Sequence, residues 1–140
     1  MLSPQETKDF RAFAGTMIPA SAHYGVPGAD DEAIFADIVK SIGRDLDDVR
    51  AALKTLAGIA DLAPERRLEK ANAFRAEGGL PLQAIARAIL LCYYRDDRVM
   101  LSLGLEPRPP FPKGHVVEQG DWSLLDPVKK RAPFWRKVPQ

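Results

Sequence analysis

The helical spacing of apolar residues stops at Leu103, and this change limits the folds open to the chain more than any other feature. Before it, apolar side chains recur at three- and four-residue intervals, which is typical of amphipathic helices. From Gly104 onward the sequence holds seven of the twelve prolines and both tryptophans. Proline lacks a backbone N–H and interrupts helices. We therefore expect helices before this point and irregular structure after it.

The first two predicted helices have recognisable starts. Ser3 and Glu6, with proline between them, form the pattern of a capped helix start. Asp30 or Asp31 is expected to cap the second helix, which should end at Gly43. The apolar residues that define these two helices are Phe10, Phe13, Ala14, Met17, Ile34, Phe35, Ile38, Val39 and Ile42.

Three further helices follow. Asp45 opens the third, a strongly charged fourth runs from Glu65 to Ala76, and Pro81 starts the fifth. From Leu82 to Tyr94 few residues are polar, and a helix that is apolar all round has to be buried on several sides. The predicted fold is therefore all-α, a five-helix platform around a buried central helix at about 81–103.

The remaining residues, 105–140, are expected to form an extended tail of the same single domain as the helical residues 1–104. A chain of 140 residues is the usual size for one domain. Disordered tails are usually poor in aromatic residues, but this one contains Phe111, Trp122, Phe134 and Trp135. We therefore expect it to wrap over a surface.

Composition excludes several classes of protein. The net charge of +1 argues against a general nucleic-acid binder, which would carry a strongly basic face. The lone Cys92 cannot form an internal disulfide and is best explained as a small buried hydrophobe. No apolar stretch is long enough to span a membrane, and the start lacks the regions of a secretory signal. The expected location is cytoplasmic, or periplasmic if a leader was removed or a partner exports the chain.

The sequence contains no recognisable catalytic constellation. His23 and His115 are the only histidines, and neither belongs to a metal-binding pair or cluster. A glycine-rich phosphate loop and a nucleophile elbow are both missing. Near the end of the fifth helix, Arg95 or Asp97 is explained without chemistry as a tether to the returning tail. We predict no catalytic, cofactor-binding or metal-binding residue in this chain.

Charge is uneven at the end of the chain. Residues 127–140 carry five cations and no acidic residue. This density suits an acidic lipid or nucleic-acid surface. Cations flanking Phe134 and Trp135 also suit a protein interface, where Trp and Arg are favoured. We favour the protein interface because the rest of the chain is not basic.

Several short motifs occur in a defined order along the chain. They are Met17-Ile-Pro19, Pro27-Gly-Ala29, a Tyr-rich helix end, Leu103-Gly104, Arg108-Pro-Pro-Phe-Pro-Lys-Gly114 and Asp121-Trp-Ser-Leu-Leu125, with Arg131 and Arg136 beyond. In this order they resemble the gluconate 2-dehydrogenase subunit 3 family, and the resemblance covers nearly the whole chain. Members of that family are the small, non-flavin subunits of bacterial sugar and polyol dehydrogenases.

The resemblance implies a partner. In that family the small subunit accompanies a large flavoprotein of the glucose-methanol-choline type, which holds FAD and oxidises a sugar hydroxyl. A cytochrome subunit carrying haem often completes the complex. The small subunit serves maturation, stability or export of the large one. Many members begin with a twin-arginine leader, whereas Lys8 and Arg11 are the only early cations here.

We therefore predict a non-catalytic accessory subunit whose tail binds the flavoprotein. Residues 108–122 should cover the helices and reach the partner, and residues 134–136 should anchor the end. The predicted partner-binding residues are Arg108, Pro110, Phe111, His115, Trp122, Phe134, Trp135 and Arg136.

Two other classes of function remain open. The chain could be a free-standing helical adaptor whose basic, aromatic end binds an acidic surface. It could instead be a small independent enzyme, if Asp97, His115 and Asp121 converge when the tail folds back.

Overall fold

The structure, a computed structural model, describes residues 1–107, 114 and 118–132. The chain divides into two compact units, Met1–Arg108 and Pro109–Gln140. The described part contains seven α-helices and three short 3-10 helices. Its only extended pairing is an isolated bridge between Ser21 and Val26. The chain is all-α, as the spacing of its apolar residues predicts.

Helix α1 spans Pro4–Met17 and begins at the predicted cap. The Oγ atom of Ser3 accepts a hydrogen bond from the backbone N–H of Glu6 at 3.2 Å, and the backbone N–H of Ser3 donates to Glu6 Oε2 at 2.6 Å. These reciprocal bonds satisfy two donors that a helix start leaves free. The helix stops two residues before Pro19, whose ring disfavours its continuation.

Helix α2 spans Glu32–Ser41 and is capped by the second of the two predicted aspartates. Oδ1 of Asp31 accepts hydrogen bonds from the backbone N–H groups of Ala33 (3.1 Å) and Ile34 (3.4 Å). A carboxylate here also interacts favourably with the positive end of the helix dipole.

Helix α3 spans Leu46–Thr55 and follows a 3-10 turn at Gly43–Asp45. Asp45 occupies the cap position, as predicted, but its side chain makes no capping hydrogen bond. The Asp45 carboxylate lies instead 2.8 Å from Nη2 of Arg87, a residue of α5. Asp45 therefore both begins α3 and connects it to α5 through this ion pair.

A buried carboxylate holds the turn after α3. Asp9 is only 3% exposed. It accepts hydrogen bonds from the backbone N–H groups of Gly58 and Ala60, each at 3.0 Å, and from Nε2 of Gln5 at 3.3 Å. These bonds attach α1 to the 3-10 turn Ile59–Asp61 and compensate for burial of the charge. No local sequence pattern predicts this contact, because Asp9 lies 49 and 51 positions from the two backbone donors.

Helices α4 and α5 span Pro64–Glu77 and Gly79–Tyr93. Gly78 separates them with a φ of +70°, a conformation that glycine adopts without the strain other residues would suffer. Helix α5 begins two residues before the predicted start, because Pro81 fits within its first turn.

A sixth helix, α6, spans Asp97–Ser102, so the prediction of one continuous helix at about 81–103 is wrong. Helix α5 ends at Tyr93, and a turn follows it. Oδ1 of Asp96 then accepts a hydrogen bond from the backbone N–H of Arg98 at 3.0 Å, which caps the new helix. Aspartate competes with a continuing helix for backbone donors, and this explains the interruption.

The core lies where α5 packs on α2 and α3 and where α1 packs on α3 and α4. Two edge-to-face aromatic pairs join these elements, Phe10 with Phe35 and Phe13 with Phe74, with ring centroids 5.5 and 5.9 Å apart. Full burial of such side chains stabilises a fold by about 1.5–3 kcal/mol each. Among the described residues, the largest fully buried side chains are Phe10, Ile34, Ile38, Leu56, Ile59, Ile85, Ile89, Val49, Val99 and Cys92.

Helix α5 has one buried face and one exposed apolar face, so the prediction of a helix buried on several sides is wrong. Its buried residues are Ala84, Ile85, Ala88, Ile89, Cys92 and Tyr93. The opposite face carries Leu80 and Leu91, both more than half exposed, together with Leu90. The high apolar content of α5 therefore serves the core on one side only.

The second unit contains two short helical segments within the part of the chain that is predicted to be mainly irregular. A 3-10 helix spans Trp122–Leu125, and α7 spans Asp126–Lys129. Asp121 caps the first segment, and Pro127 fits the first turn of the second. Every described residue of this unit is exposed. That residues 105–140 cover the helices stays a prediction.

Candidate partner-binding surfaces

One of the predicted partner-binding residues falls in the described part of the chain. Trp122 begins the short 3-10 helix, and 66% of the residue is exposed. The other seven lie outside the described residues: Arg108, Pro110, Phe111, His115, Phe134, Trp135 and Arg136.

The turn that presents Trp122 is fixed by its neighbours. Oδ1 of Asp121 accepts hydrogen bonds from the backbone N–H of Ser123 at 3.0 Å and from its Oγ at 2.6 Å. These two bonds lower the pKa of Asp121. The large apolar side chains exposed on this segment are Trp122, Leu124, Leu125 and Val128. The exposed cations Lys129, Lys130 and Arg131 follow them directly, which gives an apolar segment bordered by positive charge.

A second exposed apolar surface lies on the outward side of α5. Leu90, Leu91 and Tyr94 are neighbours on successive turns near its end, and Leu91 is 61% exposed. Tyr94 also packs edge-to-face on Tyr93, with ring centroids 5.2 Å apart.

Exposed apolar residues continue through α6. Leu101, Leu103 and Leu105 are each more than half exposed. Among the described residues, eleven of the fourteen large hydrophobic side chains that are exposed lie at Leu80 or beyond. Single exposed apolar residues are common on protein surfaces, but their concentration in one part of a chain is typical of interaction surfaces.

A basic groove of about 490 Å³ lies between the end of α2 and α5, and we call it the α2–α5 groove. Lys40, Arg44, Arg87 and Arg95 line it, with Asp45 as the one carboxylate of the lining. The remaining lining residues are Ser41, Gly43, Ala88, Leu91 and Cys92.

Arg95 forms the wall of this groove and is held by α2. Its Nε and Nη2 atoms each lie 2.6 Å from a carboxylate oxygen of Asp37, and Nη2 also donates to Ser41 Oγ at 2.8 Å. The hydrogen bond with Arg95 lowers the pKa of Asp37. Such bidentate pairing fixes both side chains. Arg95 thus joins the end of α5 to α2, and a tether from Arg95 or Asp97 to the tail stays a prediction.

The Cys92 thiol lies at the floor of the groove and is almost fully buried. Burial raises its pKa, because desolvation disfavours the thiolate. The prediction that Cys92 is a small buried hydrophobe is confirmed.

Arg98 connects α6 to the start of α2. Its Nη2 lies 2.7 Å from Asp31 Oδ1 and 3.0 Å from Asp96 Oδ2. Hydrogen bonds from Arg98 are the main cause of the lowered pKa values of both aspartates. The cap of α2 and the cap of α6 therefore share one guanidinium.

Three of the motifs that carry the family resemblance meet in the structure. The backbone N–H of Ala29 donates to the carbonyl oxygen of Ile18 at 2.9 Å, and the Tyr93 hydroxyl donates to the carbonyl oxygen of Pro27 at 3.1 Å. Burial raises the pKa of Tyr93. A Cβ atom on Gly28 would lie 2.9 Å from the backbone N of Ala20. Only glycine fits there without a shift of the loop.

A second groove, of about 390 Å³, lies between α1, α4 and α5. Its lining is mainly apolar and consists of Phe13, Thr16, Met17, Leu68, Ala71, Asn72, Arg75, Leu82 and Ala86. Leu68 at its edge is more than half exposed.

The small-enzyme alternative requires Asp97, His115 and Asp121 to converge, and the described residues do not show such a site. His23 is an exposed loop residue against the Tyr24 ring, with 4.7 Å between the ring centroids. His115 lies outside the described residues, so its convergence with Asp97 and Asp121 stays a prediction. Within residues 1–107, 114 and 118–132, no group of three His, Cys, Asp or Glu side chains is placed to hold a metal ion.

No helix in the described ranges is both long enough and apolar enough to cross a membrane. No family model, curated protein or solved structure matches the chain. The exposed apolar segments and the basic groove are therefore the features on which a function can be argued.

Proposed function

We propose that this chain is a non-catalytic accessory subunit that binds, stabilises and helps mature the large subunit of an FAD-dependent sugar or polyol dehydrogenase. The observation that carries the proposal is the concentration of exposed large apolar side chains at Leu80 and beyond. In water these side chains oppose solubility, and burial against a second protein would remove that cost.

The arrangement of these side chains supports a protein partner. Trp122 is an aromatic residue of the kind that anchors protein interfaces, and exposed Leu124 and Leu125 accompany it in the same short helix. Lys129, Lys130 and Arg131 border it with positive charge, and polar groups around an apolar centre are the usual anatomy of an interface. A stable interface buries about 1,200–2,000 Å² in total, which several such residues together can provide.

The nature of the partner rests on the ordered motifs that resemble the gluconate 2-dehydrogenase subunit 3 family. In this proposal FAD lies in the large subunit of the glucose-methanol-choline type, and haem in a cytochrome subunit where one is present. The small chain contributes surface and no reacting group. The complex is cytoplasmic in this proposal, or periplasmic if a leader or the partner directs export.

A paired substitution tests the interface. Trp122→Ser and Leu124→Ser together remove two exposed apolar side chains and leave the buried core untouched. We expect the doubly substituted chain to keep its helical content but to recover several-fold less FAD-loaded large subunit on co-expression. Tyr24→Ser is the matched control, because Tyr24 is an exposed aromatic residue in the loop between α1 and α2. Equal recovery with both variants would count against the proposal.

A second candidate is a free-standing adaptor that binds an acidic surface, and the exposed run Lys129, Lys130 and Arg131 favours it. Electrostatic binding to anionic vesicles should weaken steeply as salt rises. Salt-sensitive vesicle binding that is lost on Lys130→Glu, with no recovery of a large subunit, would favour this candidate over the first.

A further inference from the structure

The α2–α5 groove carries a higher positive charge than the chain as a whole. Four cationic side chains and one carboxylate line it, whereas the complete sequence has a net charge of +1. Asp37 neutralises part of this excess through Arg95. The groove remains positive after both carboxylates are counted, so it attracts negatively charged groups.

Three of the cations keep donors for a ligand. Arg44 is exposed over 82% of its side chain, and its only ion pair in the described part is a long one, 3.7 Å from Nε to Asp45 Oδ2. Arg87 uses Nη2 for Asp45, and 46% of its side chain is exposed. No carboxylate in the described part lies within ion-pair distance of Lys40, which is exposed. A guanidinium carries five N–H donors, so Arg44 and Arg87 can each bind a further carboxylate.

The lining of the α2–α5 groove combines these cations with apolar residues, of which Leu91 is the most exposed. Leu91 and Ala88 contribute to its lining, and Leu91 belongs also to the exposed apolar face of α5 with Leu90 and Tyr94. The groove is thus continuous with the surface on which the proposed function depends. Charges at the edge of an apolar strip are the arrangement that recognises an amphipathic segment of another protein.

We infer that the α2–α5 groove binds an acidic segment of the partner protein, with an apolar side chain of that segment on Leu91 and its carboxylates at Lys40, Arg44 and Arg87. The inference rests on the proposed function and specifies the face that the partner uses. A small anion is a poorer occupant, because Arg95 is already committed to Asp37 and the remaining cations are exposed at the edge. Small-molecule sites instead gather a few polar groups inside a pocket.

Two charge-reversed variants of the full chain test this inference. The groove variant carries Lys40→Glu and Arg44→Glu. The control carries Lys54→Glu and Arg66→Glu, which change the net charge equally, and all four residues are exposed. The control is closely matched, because Lys40 and Lys54 each lie in the last turn of a helix. Thermal unfolding of both variants checks that neither loses its fold.

The first measurement is recovery of the FAD-containing large subunit with each variant. The second is binding of a fluorescent peptide of alternating Glu-Glu and Leu-Leu pairs, which needs no large subunit. We expect the groove variant to bind the peptide about tenfold more weakly than the control. Leu91→Ser should also weaken it, and added salt should weaken binding to the unsubstituted chain.

The outcomes separate this inference from the proposed function. Peptide binding that depends on the groove, without recovery of any large subunit, would support the groove and contradict the proposed function. In the opposite case, both variants recover the large subunit equally, and Lys40→Glu with Arg44→Glu leaves peptide binding unchanged. That result would overturn the assignment of the groove but not the proposed function. Competition by inorganic phosphate or by anionic vesicles at matched ionic strength would also overturn it, because the occupant would then be a small anion or a lipid surface.

Discussion

Asp9→Ala is the substitution whose effect follows most directly from the structure. The Asp9 carboxylate is buried and accepts hydrogen bonds from the backbone N–H groups of Gly58 and Ala60. Alanine would leave both donors without their partner in the turn that follows α3. We expect the helical unit to lose stability while α1 itself remains intact, since Ser3 and Glu6 still cap it.

The expected magnitude comes from those two bonds. A buried hydrogen bond to a charged group contributes about 1.5–3 kcal/mol. Gly58 and Ala60 are half-buried, which places each bond near the lower value. The free energy of unfolding should therefore fall by about 3 kcal/mol. For a chain of this length that corresponds to a fall in Tm of about 10 °C.

Thermal unfolding followed by circular dichroism measures this change, with Asp61→Ala as the matched control. Asp61 belongs to the same 3-10 turn, but its ion pair with Lys8 at 2.7 Å is formed by side chains that are 61% and 58% exposed. Exposed pairs contribute less than about 1 kcal/mol. A Tm for Asp9→Ala that equals the Tm for Asp61→Ala would refute the assigned role of Asp9.

Three further predictions concern other contacts. Arg98→Ala should cost about 1 kcal/mol near neutral pH, because Arg98 is half exposed. Arg98 lowers the pKa of Asp31 in the folded state, so its contribution is present above the unfolded pKa and should disappear as pH falls below about 4 in a series of Tm measurements. Gly28→Ala should lower the free energy of unfolding, measured by chemical denaturation, by about 1–3 kcal/mol, since a Cβ there meets the loop backbone. Leu91→Ala should leave Tm nearly unchanged, whereas Ile85→Ala on the buried face of the same helix should cost about 2–5 kcal/mol.

Local sequence signals predicted the early helices well. Ser3 and Glu6 cap α1 as their spacing indicates, and Asp31 caps α2. These predictions succeed because a cap is decided by residues within one turn of each other. The start of α4 at Pro64 lies one residue from the predicted Glu65, because proline fits the first turn of a helix.

Contacts between distant residues were harder to predict. The sequence alone does not show whether an aspartate is exposed or binds a distant turn. The role of Asp9 was therefore not predicted. Its position four residues before Phe13, on the side of α1 that carries the apolar stripe, is the one indication that could have identified it. The pairing of Arg95 with Asp37 likewise joins residues 58 positions apart.

The errors near α5 have a physical origin as well. Apolar content alone does not distinguish a helix buried on several sides from one that has an exposed apolar face, so Leu91 was predicted to be buried. The spacing of apolar residues does not show the break after Tyr93, whereas Asp96, as a capping residue, is a signal for a new helix start. Asp121 is the corresponding signal for the short helix at Trp122–Leu125.

Co-purification tests the central claim most directly. The tagged full chain is purified from cells that also make an untagged large subunit of the glucose-methanol-choline type from the same organism, and the visible absorption spectrum of the product is recorded. We expect one stoichiometric complex with the absorption bands of bound flavin, and additional haem bands if a cytochrome subunit joins. A colourless chain that sediments alone while the large subunit is made and loaded with FAD would contradict the account.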